Sequence, residues 1–291
     1  MNDNLMILAG GISSRMKQQM DSDVSLSNEE KQQSNQRSKS LISIDSNGRP
    51  LMDYLLYNAK KAGYKNIYII TGEKNELFKT FYGTQNNNNN FHDLNISFAI
   101  QFIPKGREKP FGTSDAVYQA CMQYPELKTS KFTVCNSDNL YSVNALRLLR
   151  ESSSVSNALI SYDRETLKFT EERIAKFALM LFDENQYLVD IIEKPPLNQS
   201  HIFLDKKGKL RVSMNIFKFD GELFFDYVKN CPINPQRKEK ELPTALLNMI
   251  QDHPNSVVGI PLSEHVPDLT SKQDIAIFKE YIKHSYAELK W

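Results

Sequence analysis

The chain has 291 residues, of which 40% are hydrophobic and 24% charged, and its formal net charge is +1. That length holds one large α/β domain, or one domain with a small appendage, and the balance excludes a disordered chain or a membrane bundle. Near-neutrality excludes a bulk basic field for nucleic acid or for an anionic membrane, so any phosphate ligand must be held by a few placed cations.

Leu5–Ala9 reads as a buried strand running straight into Gly10-Gly11. It is far too short to span a bilayer and lacks the basic start and cleavage site of a signal peptide. Residues 17–38 are rich in Gln, Ser, Asn and Glu with no apolar face, which predicts a mobile loop with at most a short helix. Leu41–Ile44 predicts a short strand, Ser46-Asn47-Gly48 a turn, and Leu51–Ala62 a helix capped by Gly63. The alternation continues with a strand at 67–70, a helix at 76–82, a strand at 96–103, a helix at 114–124 and a strand at 132–135, with 86–90 as a loop tip. Such alternation marks a doubly wound, mainly parallel sheet.

After about residue 157 short strands alternate with turns, at 158–162, 175–182, 188–192 and 211–219. Helices follow at 242–250 and 274–286. The expected architecture is a single α/β domain. It has a nucleotide-binding half (about 1–156), a partly antiparallel half (about 157–270) and a terminal helix (271–291). Cys121, Cys135 and Cys231 are odd in number and lack metal-ligand spacing, which fits buried thiols in a reducing cytoplasm.

Five segments carry chemistry. In Ala9-Gly10-Gly11-Ile12-Ser13-Ser14-Arg15, two glycines after a strand admit close approach of backbone N–H groups to phosphate or a base edge, and Arg15 adds a permanent planar cation. The segment is neither a P-loop nor the dinucleotide fingerprint. Lys39 precedes the second strand, where a lysine reaches the crevice at the carboxyl edge of an open sheet. Gly112 and Thr113 open a helix whose free N–H groups attract anions. Asp138 ends a buried strand, a costly place for a carboxylate unless it is paired or binds a cation, and Asp268 is the best second carboxylate for Mg²⁺. Glu193-Lys194-Pro195 offers an acceptor for vicinal hydroxyls and a cation for phosphate. Each segment taken alone also has a purely structural reading: a turn, a solvated lysine, a helix cap or a common tripeptide.

In order along the chain, Gly-Gly…Arg, Lys-x-Leu, Gly-Thr, Asp-Asn, Glu-Lys-Pro and a late Asp resemble the sugar-phosphate nucleotidylyltransferase family, over nearly the whole chain. The resemblance implies the nucleotide-diphospho-sugar transferase fold, Rossmann-like, with a mixed, mainly parallel sheet. It implies nucleotide contacts at Ala9, Gly10, Gly11, Arg15, Gly112 and Thr113, and phosphate contacts at Lys39 and Lys194. It places Mg²⁺ on Asp138 and Asp268. Glu193, Lys194, Asn215 and Arg237 fall on the sugar-phosphate side, and Arg15, Lys39 and Lys194 are the catalytic cations. The implied partners are an NTP and a sugar 1-phosphate, with neither nucleic acid nor membrane, and self-association into a homo-oligomer is open.

Three departures stand out. The Arg15-to-Lys39 gap is long, and Ala178 and Asn215 stand where relatives often have glycine against the sugar. The strand before Gly112 offers only Gln101 as a counterpart to a base-reading glutamine. Local likeness is divided between ADP-glucose pyrophosphorylases and glucose-1-phosphate thymidylyltransferases. Base and sugar therefore stay unread, and two alternatives remain: a non-catalytic nucleotide-sugar-binding homologue and a metal-dependent glycosyltransferase of the related fold.

Overall fold

The computed structural model describes residues 2–18, 26–152, 155–193 and 202–291. The first half runs β1 (Asn4–Leu8), α1 (Ser14–Lys17), α2 (Asn28–Gln36), α3 (Leu51–Ala62), β2 (Asn66–Thr71), α4 (Glu76–Tyr82), β3 (Asn89–Phe91), β4 (Leu94–Ile100), α5 (Thr113–Gln123), β5 (Lys131–Asn136) and α6 (Val143–Glu151). The second half runs β6 (Asn157–Asp163), α7 (Glu171–Ile174), β7 (Leu179–Phe182), β8 (Leu188–Ile192), β9 (Arg211–Val212), β10 (Ile216–Asp220), α8 (Gly221–Lys229), α9 (Leu242–Asp252), β11 (Val257–Leu262) and α10 (Asp274–Ser285).

One mixed sheet runs through both halves in the order β3-β4-β2-β1-β5-β10-β6-β9-β7-β8, with β11 beside β6. Strands β4, β2, β1 and β5 are parallel, and β10 joins β5 antiparallel. This is the nucleotide-diphospho-sugar transferase architecture, with a parallel core and antiparallel additions. Continuous apolar strands need cover on both faces, and β1 shows how they get it. Leu5 and Ile7 pack in one core with Leu55 of α3, Leu146 of α6 and Phe278 of α10, whereas Met6 packs in the other with Val117 of α5, Phe224 of α8 and Leu246 of α9. The chain leaving β1 thus crosses one face and the helix entering β5 crosses the other. The two connections diverge where Leu8 pairs with Asn136, the topological switch point at which open α/β sheets bind ligands.

The structure differs from the sequence reading in several places. Lys39–Leu41 is a 3₁₀ turn, and the apolar run beyond it makes only an isolated bridge, Ser43 to Pro50. Residues 28–36 of the expected mobile loop form a helix, α2, with a reciprocal Ser27–Glu30 capping box, while 19–25 lie outside the described residues. The expected strand at 175–182 starts only at Leu179, preceded by α7. The one expected at 211–219 is broken at Ser213-Met214-Asn215 into β9 and β10. Strand β3 begins inside the expected loop tip, and α6, α8 and β11 were not anticipated. Among the described residues no helix is long and apolar enough to cross a membrane, and the three cysteines are free and buried.

Candidate active site

Two clefts of about 460 and 450 Å³ open at the carboxyl ends of β1 and β5, and both are lined by Leu8, Arg15, Thr113, Asn136, Asp138 and Glu239. They are two ends of one groove. The first end is built on the loop after β1. Ala9 N–H donates to the Ile70 carbonyl at 2.8 Å, which ties the loop to β2 before Gly10 and Gly11 turn away. A Cβ on Gly10 would sit 3.3 Å from Gln101 Oε1, so the glycine lets the loop lie against that amide. Gln101, almost fully buried, continues the pairing of β4 by donating its N–H to Thr71, and its Nε2 donates to Gly112 O and Asp115 Oδ2 at 2.9 and 3.0 Å. Both amide protons being taken, the acceptor oxygen is the end presented beside Gly10.

Gly112 turns at φ +103°, and a Cβ there would lie 2.3 Å from the Lys240 carbonyl. Only glycine fits that turn, because the left-handed φ and the close backbone approach exclude any side chain. The segment is clamped by Lys240 N–H to Phe111 O and Ser114 N–H to Lys240 O, and Thr113 Oγ1 accepts from Leu242 N–H at 2.9 Å. Thr113, the first residue of α5, thus keys the start of α9 while lining both clefts.

Asp138 and Asp268 are brought side by side by backbone pairing. Asn139 bridges Asp268, Leu140 N–H donates to Pro267 O, and Leu269 N–H donates to Asp138 O at 2.8 Å. Lys39 Nζ lies 2.8 Å from Asp138 Oδ2, with the lysine largely buried. Asp268 Oδ2 accepts from Arg173 Nη2 and from Thr270 Oγ1, at 2.8 and 2.9 Å. Arg173 also binds Asp274 and lies over the Phe169 ring at 4.4 Å. Burial and the neighbouring Asp138 charge push the Asp268 carboxyl above its ordinary range, while Arg173 and Thr270 pull it back. The two neighbouring carboxylates, each already drawing a side-chain cation, make an electronegative corner of the groove. Among the described residues no group of three or more His, Cys, Asp or Glu could hold a metal ion. A divalent metal held by this pair would have to complete its shell from water and bound ligand.

The other end holds Glu193, Asn215 and Arg237. Arg237 is half exposed and paired with Glu193 at 3.5 Å and with Glu241 at 2.5 Å. Lys194 lies outside the described residues. Arg15 lies in α1 and lines both ends, with no ion pair among the described residues.

The family model for "Nucleotidyl transferase" matches residues 33–262. The chain belongs to the nucleotidyl transferase family. Its curated relatives are distant. The chain is similar to a D-glycero-alpha-D-manno-heptose 1-phosphate guanylyltransferase of Aneurinibacillus thermoaerophilus, 24% identical over 116 residues, 40% of this chain and 44% of that protein. It is also similar to the bifunctional protein GlmU of Staphylococcus haemolyticus, 23% identical over 199 residues, 68% of this chain and 39% of that protein. A Staphylococcus epidermidis GlmU matches at 21% over 205 residues, 70% of this chain and 40% of that protein. These matches span less than half the length of the curated relatives.

Within this nucleotidyl transferase the expected residues Ala9, Gly10, Gly11, Arg15, Lys39, Gly112, Thr113 and Asp138 line the first end. Glu193, Asn215, Arg237 and Asp268 line the second, again with Arg15, Thr113 and Asp138. Sequence reasoning missed Arg173 and Tyr141. The Tyr141 hydroxyl donates to Met214 O at 2.7 Å and receives the Asn136 N–H at 3.4 Å, pinning the Asp138 loop to the Asn215 loop. Arg173 sits in no motif, and Tyr141, though it ends the Asp138 segment, carries no local signal of its pairing with Met214.

Proposed function

We propose that this nucleotidyl transferase is a sugar-1-phosphate nucleotidylyltransferase, joining a sugar 1-phosphate to an NTP with release of pyrophosphate. The observation that carries the reading is the single groove with two ends that share Arg15 and Asp138. A glycine loop and a helix N-terminus flank one end, and a carboxylate-and-amide pocket flanks the other. The NTP occupies the first end, its base edge against Gly10 and the Gln101 acceptor oxygen. The sugar lies against Glu193 and Asn215 at the second.

A phosphate monoester has its second pKa near ~6 and is largely dianionic at neutral pH, so the acceptor oxygen attacks the α-phosphorus in line without a general base. The protein's part is positioning and charge neutralisation. Arg15 draws charge toward the leaving pyrophosphate, and Lys39, which lines the first end but is bonded to Asp138 where the two ends meet, holds the attacking phosphate together with Lys194. Arg237 moves between its carboxylate partners and the sugar phosphate. Asp138 and Asp268 are the residues that would hold Mg²⁺, which supplies neutralisation of the phosphate oxygens when bound. In this reading residues 1–156 form the nucleotide half and about 157–270 the acceptor half.

The test is pyrophosphate release by Asp138→Asn. Losing a charged transition-state contact lowers kcat by about a hundredfold or more, with the melting temperature close to wild type. Turnover within threefold of wild type would remove Asp138 from the site.

A further inference from the structure

Helix α1 carries Arg15, and by itself it is a single turn, closed by Lys17 N–H donating to the Ser13 carbonyl at 3.1 Å. One turn fixes several backbone dihedrals for one hydrogen bond, so its placement has to come from contacts elsewhere. From Ser14 to Gln18 only Met16 is buried, packed in the core that also holds Leu269 and Ile275. On the N-terminal side Ser13 turns at φ +56° without a side-chain cap. A left-handed serine of this kind persists only where its surroundings hold it. On the C-terminal side the contact comes from the far end of the chain: Lys272 Nζ donates to the Gln18 carbonyl at 2.9 Å, across 254 positions. Lys272 is buried, and that carbonyl is its one acceptor among the described residues. Burying an ammonium is costly, and a cation set against the carbonyl end of a helix recovers part of that cost.

The turn that carries Lys272 is itself tightly bonded. Asp274 Oδ2 accepts from the N–H groups of Thr270 and Ser271 at 2.9 and 2.6 Å, and its Oδ1 accepts from Arg173, which also holds Asp268. One short segment thus fixes Asp268 on the groove and anchors α1. We propose that Lys272 is the positioning residue for Arg15, holding α1 so that the guanidinium keeps its place over the groove relative to Asp268. This rests on the nucleotidyl-transfer reading above. With Met16 as the one buried anchor the turn could pivot, and the Gln18 contact adds a second anchor on the other side of Arg15 from Ser13. Arg15 lines both ends of the groove and has no polar partner among the described residues, so its aim follows from the backbone of α1. Lys272 lines neither end and acts through that backbone.

The test is a double-mutant cycle on the full chain with Mg²⁺, using the pair of NTP and sugar 1-phosphate that releases most pyrophosphate. Arg15→Ala should lower kcat by about a hundredfold, as loss of a charged transition-state contact does. Lys272→Met, close in volume but unable to donate, should lower kcat by about tenfold, since misplacing a reacting group by 1 Å costs up to about a hundredfold. The acceptor KM should move less than about twofold, because the loss falls on the transition state. In the double variant the loss should stay near about a hundredfold, Lys272 having nothing left to position. Lys272→Arg can still donate to the Gln18 carbonyl and should keep kcat within about threefold of wild type. If Lys272→Met does not fold, Lys272→Gln, with its shorter side chain, takes its place in the cycle. Losses that multiply in the double variant, or wild-type kcat in either folded single variant, would overturn the proposal and leave the reaction class standing. Absence of pyrophosphate release by wild type with every pair would overturn the reaction reading and this proposal with it.

Discussion

Asp53 and His265 each carry a perturbed proton equilibrium away from the groove, and the two oppose one another. Burial pushes the Asp53 carboxyl up to about 6, although the Tyr82 hydroxyl donates to it at 2.8 Å. Burial pushes His265 down to about 4, helped by the charges of Lys168 and Arg173, and its Nδ1 accepts from Lys168 N–H. For Asp53 the folded state holds the proton to higher pH than the unfolded chain, so stability falls as pH rises from about 4 to 6. For His265 the unfolded chain takes the proton first, so stability falls as pH drops from about 6.5 to 4. Shifts of this size set an upper bound of about 3 kcal/mol each, reduced by solvent screening because both groups are only partly buried. Relative to wild type, Asp53→Asn should lose more stability on acidification from pH 6.5 to 4, and His265→Gln should lose less. Denaturant titrations at the two pH values check both signs, and parallel pH profiles for all three proteins would contradict them.

Helix α2 shows at the scale of an element why part of the chain resisted reading. It has no apolar stripe, so periodicity gave nothing to detect. Its order comes from the Ser27–Glu30 capping box, from Gln33 Oε1 accepting Ser43 N–H at 2.9 Å, and from the Lys279–Glu30 ion pair across 249 residues of chain. Glu30→Ala removes half the box and that ion pair. The amides of 28–36 should then exchange faster by about tenfold, matching a loss of roughly 1–2 kcal/mol, while the core strands keep their protection. Unchanged exchange there would mean the helix is held by other contacts.

The other differences have similar causes. Leu41, Ile42 and Ile44 are buried, and a short apolar run has the same appearance whether it enters a sheet or a 3₁₀ turn. Helix α8 starts at Gly221 directly from β10, capped by Asp220, with no polar spacer to announce it. The parallel core was legible because its strands are continuous apolar runs between amphipathic helices. The site was legible as residue types, but its pairings were not. Lys39 and Asp138 lie 99 positions apart, and Arg173 and Asp268 lie 95 apart. The tertiary fold brings them together, through the loops and short helices at the carboxyl edge of the sheet.

Over the whole molecule, one sheet carries both ends of the groove, and Tyr141 and Asp138 stand at their junction. On the proposed reading, an NTP at one end and a phosphorylated acceptor at the other would meet on one continuous sheet, as in-line transfer requires. The most direct measurement is product stoichiometry from the wild-type chain, mixing each common NTP with a panel of sugar 1-phosphates in Mg²⁺ and quantifying pyrophosphate and nucleotide sugar together. One pair should give the two products in equal amounts, with neither formed when the acceptor or Mg²⁺ is omitted. Release of inorganic phosphate or nucleoside diphosphate instead, or no product from any pair, would contradict nucleotidyl transfer at this groove.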